Sequence, residues 1–177
     1  MNRAAFLDRD GVINIVVLRK GRPHPPDSLA DFVLAPKVSE AMNLLKKSGY
    51  KIIVVTNQPD VATGVQKQEV VESFHAKLLA ELPIDEIFVC YHVDADRCNC
   101  RKPKPGMLLD AAKKWSIDLK SSFMVGDRWR DIEAGQAAGC KTILVRNDYE
   151  EKKAENPDWS VDTIFEAAEI ITKKDPS

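Results

Sequence analysis

The chain has 177 residues, 26 Lys and Arg against 27 Asp and Glu, and a formal net charge of −1. That length suits one domain, and a hydrophobic fraction of 44% is enough for a buried core. The charged residues have interspersed signs, no apolar run approaches the ~18 residues of a membrane span, and the first residues lack a signal-peptide apolar region, so a strongly basic nucleic-acid binder and a membrane protein are excluded and a soluble cytoplasmic protein is expected.

Apolar runs alternate with amphipathic stretches along the chain. Residues 4–7 read as a buried strand that ends in Asp8. Residues 11–35 are long and Pro-rich at Pro23-His24-Pro25-Pro26, and are expected to form a hairpin and loop above a sheet. Pro36 opens a helix over 38–48, with Val38, Ala41, Met42 and Leu45 on one face and Gly49 at its end. A β-branched strand at 52–55 runs into Thr56-Asn57, and a helix is expected over 67–82. A third strand at 87–90 leads into a Cys-rich loop, 92–104, and Pro105 opens a helix over 106–115. A strand at 122–125 ends in Gly126-Asp127, a helix over 130–138 stops at Gly139, and a strand at 142–145 and a helix at 163–173 complete the pattern. Strand–helix alternation at these lengths predicts an α/β fold, a Rossmann-like doubly wound parallel sheet. It reads as one domain over 1–173 with a frayed tail at 174–177.

In such a sheet, ligands bind beyond the carboxyl ends of the strands. Those ends carry Asp8-Arg9-Asp10-Gly11, Thr56-Asn57-Gln58 and Gly126-Asp127. Asp is a common turn former. Acids repeated at strand ends more than a hundred residues apart point instead to one converging site. Carboxylates from two strand ends suit a hard cation such as Mg²⁺ that keeps open positions for phosphate oxygens. Residues two apart on an extended chain face the same way, so Asp8 and Asp10 address one substrate. One carboxylate can attack while the other moves a proton.

These stretches, with Cys100-Arg101-Lys102-Pro103-Lys104-Pro105-Gly106-Met107, resemble the motifs of the haloacid dehalogenase superfamily. Within it they are similar to the branch of the heptose bisphosphate and histidinol-phosphate phosphatases. The resemblance runs from residue 4 to about 146, with the motifs in the family's order. It implies a Mg²⁺-dependent phosphomonoester hydrolase. Asp8 would form an aspartyl-phosphate, and Asp10 would protonate the leaving alcohol and then activate water. Thr56 and Asn57 would bind the transferring phosphoryl group and Lys102 would neutralise its charge. Arg101 and Arg128 would contact substrate. Asp127 would complete the Mg²⁺ site with Asp8 and the Asp10 carbonyl. Phosphoryl transfer depends mainly on positioning and on positive groups around the equatorial oxygens, which agrees with this set.

Cys90-x-His92-x5-Cys98-x-Cys100 offers three thiolates and one imidazole, a closed tetrahedral set for a structural Zn²⁺. A buried-thiol or redox reading fits a polar loop poorly. The zinc would staple the loop so that Arg101 and Lys102 are pre-positioned. Cys140 reads as a core thiol, His75 as a surface or half-buried helix residue, and His24 as a solvated loop residue. Asp131 either supports the metal site or favours the helix N-terminus. Trp129 has no assigned role, and Trp115 and Trp159 read as packing residues.

No cap domain is inserted between the motifs. The resembled heptose enzymes follow Thr-Asn-Gln with Ser-Gly-Ile and a later Arg-Gly, where this chain has Pro59-Asp60-Val61 and Thr63-Gly64. Arg19, Lys20 and Arg22 offer either a second anion contact or a solvated rim. The substrate implied is a sugar phosphate such as D-glycero-D-manno-heptose 1,7-bisphosphate, with histidinol phosphate as the alternative and a monomer favoured. A nucleic-acid 3′-phosphatase would need a basic aromatic groove, which the balanced charge argues against. A non-catalytic zinc-stapled binding module would lack one of Asp8, Asp10, Lys102 or Asp127, and all four are present.

Overall fold

In the computed structural model, which describes residues 1–174, the strand at the start of the chain takes the middle of the sheet. The elements that build it are β1 (Arg3–Leu7), β2 (Val17–Arg19), β3 (Arg22–His24), α1 (Val38–Lys47), β4 (Tyr50–Asn57), α2 (Gln68–Glu81), β5 (Glu86–Cys90), α3 (Gly106–Trp115), β6 (Phe123–Gly126), α4 (Trp129–Ala138), β7 (Lys141–Val145), β8 (Trp159–Val161) and α5 (Ile164–Lys173). Six strands form a parallel sheet in the order β5-β4-β1-β6-β7-β8. The expected frayed tail falls outside the described residues from 175 onward.

Strand side chains alternate between two cores, as the two-residue period of a strand requires. Ala5, Leu7, Ile52, Val54, Phe123 and Val125 point to the face covered by α1, α2 and α5. Ala4, Phe6, Ile53, Val55 and Met124 point to the face covered by α3 and α4. The helices thus lie on both faces, and the near-continuous apolar strands are buried on both.

Register sets the site. Leu7 pairs with Val54 on one side and Val125 on the other. Asp8, Thr56 and Asp127 therefore leave the sheet within two residues of a common line, at adjacent central strands.

Two details depart from the sequence pattern, and one follows it. β8 is a strand of three residues, too short for any periodicity, and pairs with β7 at the sheet edge. Val12 and Ile13 are buried in a turn rather than extended. β2 and β3 form the expected hairpin, closed by Lys20 and Gly21 at φ 51° and 71°, as a two-residue hairpin loop requires. The hairpin is fastened on both sides. The Glu150 N–H donates to the Gly21 carbonyl at 2.9 Å. On the other side, Arg19, beside the loop, pairs with Asp27 at 2.5 Å, and Gln66 donates to the Asp27 carbonyl at 3.1 Å.

Candidate active site

Past β1 the chain turns sharply. The Arg9 carbonyl accepts the N–H groups of Val12, Ile13 and Asn14 at 3.3, 2.8 and 3.1 Å. Gly11 takes φ +87°, and a Cβ there would lie 1.8 Å from Asp127 Oδ2. Only glycine meets both demands.

Asp8, Asp127 and Asp131 are buried, and each offers an oxygen within 4.8 Å of the others. Lys102 Nζ reaches into the group, 2.9 Å from Asp8 and 2.6 Å from Asp131, and donates to the Val55 carbonyl at 2.7 Å. Three carboxylates against one ammonium leave surplus negative charge. Burial, helped by Asp131, pushes the Asp8 carboxyl up to about 7. Burial and the charges of Asp8 and Asp131 raise Asp127 well above the usual carboxylate range. Burial pulls Lys102 down, but Asp131 and Asp8 outweigh it and hold the ammonium above its ordinary value. The Tyr149 hydroxyl donates to Asp127 Oδ2 at 2.7 Å, while Asp127 Oδ1 is buried without a hydrogen-bond partner. An all-oxygen set with surplus negative charge and one orphaned buried oxygen fits a hard divalent cation.

Asp10 stands apart from that group. Its carboxylate accepts from Arg9 Nη2 at 3.1 and 2.9 Å, Asn14 Nδ2 at 3.0 Å and Gln58 Nε2 at 2.8 Å. Its side chain borders a cavity of about 230 Å³ together with Asp8, Asn57, Lys102 and Arg128. Arg22, His24, Asp60, Arg130 and Asp131 complete much of the wall. A more open cleft of about 400 Å³ touches Asp127 beside Trp129 and Lys152, but it contains neither Asp8 nor Lys102.

Several of the expected site residues also have partners within the protein. Thr56 is buried beneath the cavity, its hydroxyl accepting from Gln58 Nε2 at 2.9 Å. Asn57 brackets the Lys102 backbone instead of pointing a free amide at substrate: its Nδ2 donates to the Lys102 carbonyl, and the Lys102 N–H donates to its Oδ1, both at 3.1 Å. Arg101 does not line the main cavity. Its Nε donates to Asp94 at 2.7 Å in a separate dent, and Arg130, which the sequence left unassigned, borders both spaces. Arg128 lines the cavity with its guanidinium held by Glu151. Asp131 serves both of its expected roles: it accepts the Arg128 N–H at 3.0 Å in the first turn of α4 and binds Lys102. His24 is half-buried at the cavity wall, and His75 is buried.

The second cluster sits beside β5. Cys90, His92, Cys98 and Cys100 bring four donor atoms within 4.8 Å of one another. The sulfur–sulfur separations are 3.7, 3.0 and 3.4 Å, and His92 Nδ1 lies 3.6 and 3.3 Å from two of the thiols. A tetrahedral site with metal–sulfur bonds of ~2.3 Å has edges of about 3.8 Å, so the cage, drawn in to 3.0 Å at its shortest edge, fits zinc in donor type and would open slightly to hold it. Its last ligand lies two residues before Lys102.

Arg9, Asn14, Gln58 and Tyr149 contribute to the site without having been anticipated. The first three sit inside the motifs already singled out, next to residues that drew the attention. Tyr149 carries no sequence signal; it arrives from a loop 22 residues after Asp127.

Comparison with known proteins agrees with this geometry. A family model for HAD-hydrolase-like proteins matches residues 99–167. A D-glycero-beta-D-manno-heptose-1,7-bisphosphate 7-phosphatase of Photorhabdus laumondii is 42% identical over 156 residues, 81% of this chain and 80% of that one. An alpha-specific counterpart from the same organism is 40% identical over 162 residues, covering 83% and 84%. The crystal structure of a D,D-heptose 1,7-bisphosphate phosphatase from B. bronchiseptica, complexed with magnesium and phosphate, superposes with a TM-score of 0.78 at 27% identity. It covers 98% of this chain and 99% of that one.

Proposed function

The chain belongs to the HAD-like hydrolases and is a phosphatase, and from that premise we propose that it hydrolyses a heptose 1,7-bisphosphate with Mg²⁺, through an aspartyl-phosphate on Asp8. The observation that carries the mechanism is the buried Asp8 carboxylate, 2.9 Å from the Lys102 ammonium and opening onto the cavity. Asp8 attacks phosphorus as the bond to the leaving oxygen breaks, and Lys102 offsets charge on the equatorial oxygens. Asp10 delivers a proton to the departing alkoxide. It then takes one from the water that attacks the aspartyl-phosphate and frees Asp8.

Asp8 and Asp127, with Asp131 beside them, would hold Mg²⁺, which supplies positive charge to the phosphoryl oxygens. Asn57 holds the Lys102 backbone in place, and Thr56 holds Gln58. The heptose bisphosphate reading is supported by relatives named for both anomers at nearly equal identity, so this chain's anomer is a matter for kinetics. A Zn²⁺ in the Cys90, His92, Cys98 and Cys100 cage is structural: four protein donors close it. Four free thiols suit a reducing compartment such as the cytoplasm, and among the described residues no helix is long and apolar enough to cross a membrane. One catalytic domain over 1–173, acting as a monomer, accounts for the site without a second chain.

The test is Mg²⁺-dependent phosphate release from the alpha and beta heptose 1,7-bisphosphates and from histidinol phosphate. Asp8→Asn is expected to abolish turnover and acid-stable phosphoenzyme alike. Turnover retained by that variant would overturn the covalent mechanism, and a higher kcat/KM on histidinol phosphate would overturn the substrate.

A further inference from the structure

Arg9 is the largest side chain among the described residues that is fully removed from solvent. A buried guanidinium carries a desolvation penalty of several kcal/mol unless its partners are well placed, and because Arg9 Nε is buried without one, the partners of its two terminal nitrogens hold it. Arg9 Nη2 grips both oxygens of Asp10 at 3.1 and 2.9 Å. Its guanidinium lies 5.9 Å from the Phe32 ring centre and 5.4 Å from that of Phe74, and those rings stack on each other at 4.7 Å. Arg9 Nη1 meets His75 Nε2 at 3.0 Å, on the inner face of α2. Arginine has no acceptor, so His75 Nε2 must accept and its proton sits on Nδ1. Burial, then the Arg9 charge, push His75 down to about 4, so the ring is neutral at ordinary pH.

We propose that His75 is a positioning residue for the reaction: by accepting from Arg9 Nη1 it fixes the guanidinium in the rotamer that aims Asp10 at the substrate. This rests on the reading of Asp8 as nucleophile and Asp10 as acid and base. Phe74, one residue earlier on α2, packs against the same guanidinium, but His75 is the α2 residue that accepts a hydrogen bond from it. The stacked Phe pair confines the guanidinium plane, Asp10 fixes one end, and His75 fixes the other. Losing the acceptor leaves a buried N–H unpaired. The guanidinium then turns toward a new partner and Asp10 turns with it.

The consequence separates from simple loss of packing. Transfer of phosphate from 2,4-dinitrophenyl phosphate to Asp8 expels a phenolate that needs no proton, so that step does not depend on Asp10. Transfer from an alkyl phosphate needs the Asp10 proton, and hydrolysis of the aspartyl-phosphate needs the Asp10 carboxylate as base.

The experiment compares His75→Leu with His75→Gln, whose amide oxygen still accepts a hydrogen bond. Single-turnover dinitrophenolate release is measured beside steady-state turnover of dinitrophenyl phosphate and of the sugar phosphate. His75→Leu is expected to release dinitrophenolate in a single turnover within about threefold of wild type, while both steady-state rates fall at least ~10-fold. His75→Gln restores both to within about threefold. If His75→Leu does not fold, His75→Asn, polar but too short to reach Arg9, takes its place. Single-turnover and steady-state rates falling by one common factor would overturn the proposal. So would a His75→Gln no better than His75→Leu, or steady-state rates unmoved by either. Failure of the aspartyl-phosphate reading itself shows separately, as turnover surviving in Asp8→Asn.

Discussion

At the scale of single residues, the site depends on contacts too close for any spare atom. Gly11 packs against the Asp127 carboxylate and Tyr149 hydroxyl: an added Cβ would fall 1.8 Å from Asp127 Oδ2 and 2.9 Å from Tyr149 Oη, at a φ that disfavours any side chain. Gly11→Ala is therefore expected to push Asp127 aside and lower kcat/KM by ~10²-fold or more, as a misplacement of ~1 Å does in an active site. Phosphatase assays over a Mg²⁺ titration check it, because the loss should come with weaker Mg²⁺ dependence. Much of this residue chemistry was legible beforehand. Asp8, Asp10 and Asp127 follow the strand ends, as the strand-end argument expects, while Lys102 comes from the loop before α3 and is indicated only by the family resemblance. Arg9 was passed over because composition rules place arginine on the surface, and only the fold reveals the pocket between Phe32, Phe74 and His75 that receives it. The family resemblance gives Asn57 a phosphoryl contact; the loop that brings the Lys102 carbonyl within 3.1 Å of its amide is a tertiary fact.

At the scale of elements, the loop between β5 and α3 and the β2–β3 hairpin shape the cavity from opposite sides. Cys98 and Cys100 tie the loop to Cys90 at the end of β5, and Asp94, on the same loop, pairs with both Arg101 and Arg130. Elemental analysis is expected to find about one zinc per chain, bound by the closed cage. Cys98→Ser should lose the metal and lower kcat, because Lys102 sits on the stapled segment. A zinc-free wild type with full activity would refute this. On the hairpin, Arg22 lines the cavity. The other cations there are paired with carboxylates, Lys102 with Asp8 and Asp131, Arg128 with Glu151, and Arg130 with Asp94. Among the described residues Arg22 has no ion-pair partner, which leaves its fork for a second phosphate. Arg22→Gln should raise KM for a heptose bisphosphate about 10-fold and leave KM for the corresponding monophosphate within twofold, measured side by side. The sequence located both loops by their length and composition. It did not indicate which arginines face inward, since that depends on how a hairpin and a helix start are presented to each other.

At the scale of the whole molecule, the buried polar centre links stability to pH. His75 has its ring held down to about 4, by burial and the Arg9 charge against the opposing Asp10. In the unfolded chain it titrates near its ordinary 6.5. For this group the unfolded state therefore binds the proton first, and the His75 contribution to stability rises with pH through this interval, while Asp8, held up to about 7, contributes in the opposite sense and cancels when wild type is compared with a His75 variant. The contribution is fully present above about 6.5 and is lost progressively as pH falls toward 4, up to about 3 kcal/mol. Urea unfolding of wild type and His75→Gln between those limits should converge as pH falls, and parallel curves would show that His75 does not titrate on unfolding. The architecture itself followed from the alternation of apolar strands and amphipathic helices. β8 escaped because three residues hold no period, and its pairing with β7 is decided by an open sheet edge.

The hairpin over the strand ends has a consequence for how turnover is timed. Its tip is held from two sides, by Glu150 at Gly21 and by Asp27, itself held by Gln66, at Arg19, so the roof over the substrate is built as a wall rather than a flap. Enzymes that bury their reaction under a moving lid often wait on its reopening before product can leave. A wall fastened in this way imposes no such wait, so product is expected to leave freely and kcat to be insensitive to solvent viscosity; a kcat that falls in proportion to added viscosity would reveal a gate.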